Sequence, residues 1–249
     1  MEQDTTIQIK EIYGYDSYRQ SRAAILILST VIITFLFSSC GLPTVTYLYP
    51  PEDLTVNEGI LTVKNNSNNY DDSEASSQTY RGIEIYYRVY TSDPTAIITT
   101  LNTLAATYKD EPESFLSLTT GTTYKFSRLR IKDTSAAPLI SIDAADESAF
   151  SIYFDKKALS DDWRLTDENS NLICYVTRTL DSNANISSLS FPDKDFNSGD
   201  FDFSGSTISS SDIDVFIVFF AVSFGVDQNS TVGQTVYSAP YIASSYATY

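Results

Sequence analysis

Polar and apolar positions alternate most clearly in Arg81-Gly82-Ile83-Glu84-Ile85-Tyr86-Tyr87-Arg88-Val89-Tyr90. Ile83, Ile85, Tyr87 and Val89 share one face and Glu84, Tyr86, Arg88 and Tyr90 the other, the two-residue period of a strand. After Ser92-Asp93-Pro94 the period changes. Ile97, Ile98, Leu101, Leu104, Ala105 and Tyr108 recur at the spacing of one helical face, behind a capping aspartate and a first-turn proline. Further strands are expected at 61–63, 123–132, 139–142, 149–154, 172–179, 214–224 and around 235–243. Loops at 65–77, 181–188 and 193–212 separate them, the first too polar to pack. Short strands punctuated by turns predict a mainly β fold, an antiparallel sandwich that about 200 residues can build as one domain.

The run at 214–224 departs from simple alternation. Val215, Ile217, Phe219 and Ala221 fall on one side, Phe216, Val218, Phe220 and Val222 on the other, so both faces are apolar. A strand wet on one face alternates, whereas one covered on both does not. A third layer is therefore expected over it, with the Leu101 and Leu104 face of the helix as the cover.

The first forty residues read as an address. Arg19 and Arg22 precede the weakly polar to apolar run 23–37, which ends in Ser38-Ser39-Cys40-Gly41. A basic flank, about fifteen apolar residues and then small residues is the order of a secretory signal. The run is shorter than the roughly 20 residues of a membrane-crossing helix, so an uncleaved signal anchor is the weaker reading. Phe37-Ser38-Ser39-Cys40 resembles a bacterial lipobox, in which the cysteine receives lipid and becomes the new N-terminus; Phe37 stands where leucine is usual. The resemblance implies residues 1–39 as a lipoprotein signal peptide, 40–51 as a lipidated tether on Cys40, and 52–249 as the folded domain. The stretch before Arg19 is acidic for such a leader, and Met1 is the chain's one methionine, which fits a start assigned too early.

Gly82-Ile83-Glu84-Ile85-Tyr86-Tyr87-Arg88 resembles the third strand of a fibronectin type III domain. The run from Phe216 to Gly225 resembles the sixth, and Val236-Tyr237-Ser238-Ala239-Pro240 the start of the closing strand. Together with the lipobox, these runs are similar to spirochaete-type surface lipoproteins. The resemblance implies a fibronectin type III-like or immunoglobulin-like sandwich with a large insertion at about 91–211 holding one or two helices. It also implies a cell-envelope location, at the outer membrane of a bacterium. The tryptophan usual on the second strand is absent, the single Trp163 lying elsewhere.

Composition narrows the chemistry. The 249 residues hold no histidine, which excludes histidine-based nucleophilic catalysis and histidine metal ligation. Net charge is −16; the leader takes four acids and three bases with it, leaving −15. That balance argues against nucleic-acid partners, which need a cationic field. Cys174 sits in an apolar strand-like run, the setting of a small buried hydrophobe, and has no disulfide partner if Cys40 is lipidated.

Asp193, Asp195, Asn197 and Asp200 surround Gly199 and form a calcium candidate, but out of register with an EF-hand, so a solvated acidic loop is favoured. Arg128, Arg130 and Lys132 would share a face of one strand and could grip an anionic glycan or acidic protein, although a solvated face that balances the surrounding acids is favoured for them. The row Tyr86, Arg88 and Tyr90 has the composition of an interaction surface, although burial beneath the insertion is favoured for it. Carboxylate pairs such as Asp143 with Asp146, or Asp161 with Asp162, leave a carbohydrate-active hydrolase as the enzyme alternative. A structural envelope component is the other. The leading expectation is a non-enzymatic binding or adhesion module with no cofactor, held to a membrane by lipid, with a protein or glycan partner.

Overall fold

The structure, a computed structural model, describes residues 47–57, 59–69, 79–132, 138–141, 149–154, 163–179, 196–208, 214–227 and 233–248. All belong to the unit Thr46–Tyr249. Two long strands, β3 (Tyr80–Tyr90) and β11 (Phe216–Asp227), pair antiparallel from Phe216 opposite Tyr90 to Gly225 opposite Tyr80. Both are rich in aromatic and β-branched residues, which suit a pleated surface packed on two sides.

Each long strand has its outer edge closed by three short ones. On β3 these are β6 (Ile140–Ser141), β4 (Ser127–Arg128) and β10 (Phe203–Ser204), the last running parallel. On β11 they are β12 (Gln234–Tyr237), β13 (Tyr241–Ile242) and β14 (Ala247–Thr248). Gly82 makes the first of these contacts possible. Its φ is +143°, and a Cβ there would lie 1.8 Å from the Ile140 carbonyl oxygen, so only glycine fits.

The second sheet runs in the order β1 (Asp53–Asn57), β2 (Ile60–Lys64), β7 (Ala149–Tyr153), β8 (Trp163–Thr166), β9 (Leu172–Thr177) and β5 (Arg130–Ile131), all antiparallel. Its strands alternate: Leu61, Val63, Phe150 and Ile152 are buried while Thr62 and Ser151 are only half-buried, the signature of one covered face. The fold is therefore a mainly β, antiparallel sandwich with two helices. One apolar cluster fills the space between the sheets, joining Leu61, Val63, Phe150 and Trp163 to Ile85, Tyr87, Ile217 and Phe219.

The far face of β3 and β11 is covered as the doubly apolar run predicts. Helix α1 (Thr95–Thr107) starts behind Asp93, whose Oδ1 accepts the Thr95 N–H at 2.9 Å. Helix α2 (Pro112–Thr120) starts at a proline and stops before Gly121. Ile98 and Leu101 of α1, with Phe115 and Leu116 of α2, form a second cluster with Val218, Phe220 and Val222.

Several sequence expectations change. Residues 123–132 are two short strands in different sheets, because Lys125 takes φ +52° and the chain crosses between sheets near Leu129. Residues 91–211 are no appendage: they supply β5, β7, β8 and β9, four of the six strands of the second sheet. The loop at 65–77 packs where it is described, with Asn65 and Asn69 buried. Within 193–212, Phe196, Phe203 and Ile208 join the core. The folded domain also begins before residue 52, since Leu48 is buried.

Candidate functional site

The outer row of β3 faces the helices. Tyr86, Arg88 and Tyr90 are all buried there, so they form no exposed surface. Tyr86 stacks on Phe220 at 4.9 Å and donates from its hydroxyl to Glu84 at 2.7 Å. Glu84 is fully buried and pairs with Arg128 at 2.5 Å. The β3 to β4 register explains the meeting, because Tyr86 stands opposite Arg128. Burial, with the Glu84 carboxylate beside it, raises the Tyr86 pKa well above its usual 10.0. Tyr237 is pushed up to about 12 by burial and by Glu84.

Arg88 reaches the Phe203 carbonyl at 3.5 Å with one amino group and lies 5.8 Å from the Tyr90 ring centroid. Its other amino group is buried without a hydrogen-bond partner. Burial lowers its pKa below the usual guanidinium value and raises that of Tyr90 to about 12.

Arg128, Arg130 and Lys132 do not share a face. Arg128 belongs to the helix-side sheet, while Arg130 pairs opposite Thr177 and the Lys132 N–H donates to the Tyr175 carbonyl in the other sheet. Of the calcium candidates, Asp193 and Asp195 lie outside the described residues. Asn197 is exposed, and Asp200 takes an ion pair from Arg178 at 3.2 Å and the Asn197 N–H at 3.1 Å. Among the described residues no three His, Cys, Asp or Glu side chains gather as a metal site. The pairs Asp143 with Asp146 and Asp161 with Asp162 lie outside the described residues, as does Cys40. Cys174 is half-buried, and burial pushes its thiol up to about 11, far from the thiolate a nucleophile needs.

The larger polar cluster has no counterpart in the sequence reading. Between the sheets, Arg178 meets the fully buried Asp202 through two hydrogen bonds, Nε to Oδ2 at 2.8 Å and Nη2 to Oδ1 at 2.7 Å. Tyr87 donates to the same carboxylate at 2.5 Å and accepts the Thr179 N–H at 2.8 Å. The Arg178 guanidinium also lies 4.5 Å from the Phe196 ring centroid. Burial, next to Asp202, raises the Tyr87 pKa well above 10.0. A 24-residue separation between Arg178 and Asp202 gives no periodic signal. This cluster ties the connection through residues 196–208 to β3, and its groups are spent on one another.

A third polar group fixes the entry of the chain. The Asn69 side chain accepts the Tyr49 N–H and donates to the Tyr49 carbonyl, both at 2.9 Å, acting as a strand partner would. The Ser223 hydroxyl donates to that carbonyl at 2.7 Å, and the Asn66 side chain to the Pro50 carbonyl at 2.9 Å. The segment following Cys40 is thus stitched to the sandwich from Tyr49 on. Among the described residues, no helix is long and apolar enough to cross a membrane. No known protein family, curated protein or solved structure matches this chain.

Proposed function

We propose that this is a lipid-anchored protein of a bacterial cell envelope, placed at the outer membrane, whose sandwich domain serves as a non-enzymatic binding or adhesion module. The observation that carries the reading is the order at the N-terminus. A basic flank, an apolar run and Ser38-Ser39-Cys40 are followed by only seven residues before Leu48 enters the core. A lipid on Cys40 would hold the domain close to its membrane, where a net charge of −15 keeps it soluble and directs it towards protein or glycan partners rather than polyanions.

The likeness to fibronectin type III strands is supported by pairing. In an immunoglobulin-type sandwich the third, sixth and seventh strands share one sheet, and β3, β11 and β12 are consecutive neighbours here. The parallel strand β10 departs from that pattern. Two experiments test the reading. Replacement of Cys40 by Ala is expected to abolish lipid incorporation and move the protein from the membrane to the soluble fraction. Cross-linking on intact cells is expected to capture a discrete envelope or matrix partner that then binds purified residues 41–249 directly. Failure of that fragment to bind any such protein or glycan above a micromolar background removes the binding role.

A further inference from the structure

The large apolar side chains exposed among the described residues are Tyr47, Leu172 and Ile173, at 55%, 48% and 44% of their surface. Isolated exposed apolar residues are ordinary, but these three share one end of the molecule. Strand β1 leaves that end at Asp53, and β2 returns to it at Lys64, opposite Asp53. Ala149 of β7 stands opposite Lys64, and β8 runs back so that Thr166 lies opposite Ser151. The turn Asp167–Asn171 therefore projects from this end, and Leu172, opposite Thr166, is the first residue after it. Tyr47 arrives there too, because the Glu52 N–H donates to the Lys64 carbonyl and Asn66 and Asn69 bind Pro50 and Tyr49.

The turn is built rigidly. Asp167 Oδ1 accepts the N–H groups of Asn169 and Asn171 at 2.9 and 2.8 Å, and its Oδ2 accepts the Asn171 side chain at 2.8 Å. Its carboxylate is engaged within the turn. Seven peptide units separate Cys40 from Tyr47, a reach of at most about 25 Å fully extended. The end that carries the exposed apolar residues is the end from which the chain leads back to Cys40.

We propose that this end is the face the domain lays against its own membrane, with Leu172 and Ile173 entering the interfacial layer and Tyr47 at headgroup level, where tyrosine is favoured. The proposal rests on the lipidation of Cys40. It adds a second, non-covalent contact and fixes the orientation of the sandwich, with the β1 to β2 turn at Asn57 facing away. Asp167 and Glu168 in the turn, with Glu52 and Asp53 where β1 leaves this end, flank the contact, and Lys64 is paired to Glu52, so the surface it fits is zwitterionic lipid rather than an anionic bilayer.

The test uses the lipid-modified full protein, extracted and reconstituted in phosphatidylcholine vesicles, in a Cys174→Ser background. Single cysteines at Ile173 or Leu172, and at Asn57 as the far-end control, carry an environment-sensitive fluorophore. Iodide in the water is expected to quench the label at position 173 several-fold less than at 57, and headgroup-level nitroxide lipid to quench 173 but not 57. The label at 172 should follow 173. Equal iodide access at all three positions, in protein that floats with the vesicles, overturns the orientation while leaving the anchor intact. Protein that fails to float, with Cys40 itself open to the thiol reagent, overturns the anchor and this inference with it.

Discussion

Inside the sandwich, Asp202 meets Arg178 through two hydrogen bonds and Tyr87 through a third, and all three side chains are buried. Under the helices, Glu84 meets Arg128 and Tyr86 through one hydrogen bond each, and the Arg128 side chain keeps 22% of its surface exposed. The two clusters stand on adjacent β3 residues, Tyr87 and Tyr86, which point to opposite faces. The adjacent aromatics of β11 divide in the same way: Phe219 packs on Phe154 at 5.0 Å, while Phe220 meets Tyr86, Phe115 and Phe126. An acid, an arginine and a tyrosine thus recur on each face with different access to water, and the inner cluster adds Asp200 beside Arg178. A buried ion pair is not in itself strongly stabilising; what it does is make the loss of one partner costly. The inner cluster should behave as an all-or-none tie, and the outer one as a contact that water can partly replace.

The largest difference is expected from the acids. Asp202→Asn removes the buried carboxylate that takes two hydrogen bonds from Arg178 and leaves the cation buried beside Asp200 at 3.2 Å, at a cost of about 3 kcal/mol. Glu84→Gln frees Arg128 to turn towards solvent and is expected to cost about 1–2 kcal/mol. Both are read as shifts of the denaturant midpoint at unchanged slope. A Glu84 variant as damaged as the Asp202 variant would break the comparison.

A smaller contrast separates the tyrosines. The Tyr87 hydroxyl both donates to Asp202 and accepts the Thr179 N–H, so Tyr87→Phe strands a buried donor and should cost about 2 kcal/mol. The Tyr86 hydroxyl has the single contact with Glu84, and Tyr86→Phe should cost about 1 kcal/mol. Combining Tyr87→Phe with Asp202→Asn should give less than the sum, because the two share one network; full additivity would show that the groups act independently.

The strands on which these clusters stand could be read from the sequence because their patterns are local. Period-2 alternation located β3, and apolar residues on both faces of β11 foretold the helical cover that Ile98, Leu101 and Phe115 supply. The clusters themselves could not be read. Asp202 finds Arg178 only because β10 joins β3 in parallel, a long-range pairing that leaves no period in the chain. The basic trio is divided for a related reason: the alternation of residues 123–132 predicts one strand, but Lys125 turns the backbone and the chain crosses at Leu129, so Arg128 and Arg130 pass to different sheets. Asn69 looked like a loop residue because its value lies in replacing a backbone partner for Tyr49. Leu172 and Ile173 belong to an apolar run that predicts a buried strand, and only their place at the sheet's end shows them bare.

The smallest effect at neutral pH appears only in alkali, and it tests both faces together. Tyr86 and Tyr87 have pKa values raised well above 10.0, and Tyr90 and Tyr237 are pushed up to about 12, with burial the leading cause for all four. Unfolded, each would lose its proton near pH 10. Above that pH the unfolded chain holds fewer protons than the folded one, so stability must fall as pH rises. The contribution is complete below pH 10 and, for Tyr90 and Tyr237, is lost on rising through about pH 12. Cys174, pushed up to about 11 by burial, acts in the same direction from a lower pH, so denaturant midpoints should hold steady up to about pH 8 and then drop, with a slope that each raised group steepens by at most about 1.4 kcal/mol per pH unit. Replacing Tyr87 by Phe should flatten that drop, as should replacing Tyr86, even though both substitutions lower stability at pH 7. The phenolate absorbance of these residues should rise together with loss of the aromatic circular dichroism that reports packed rings. Phenolates that form fully while the aromatic signal is unchanged would mean that the rings ionise in place. The faces of β3 would then be open to hydroxide, and the distinction between a sealed inner cluster and a yielding outer one would not stand.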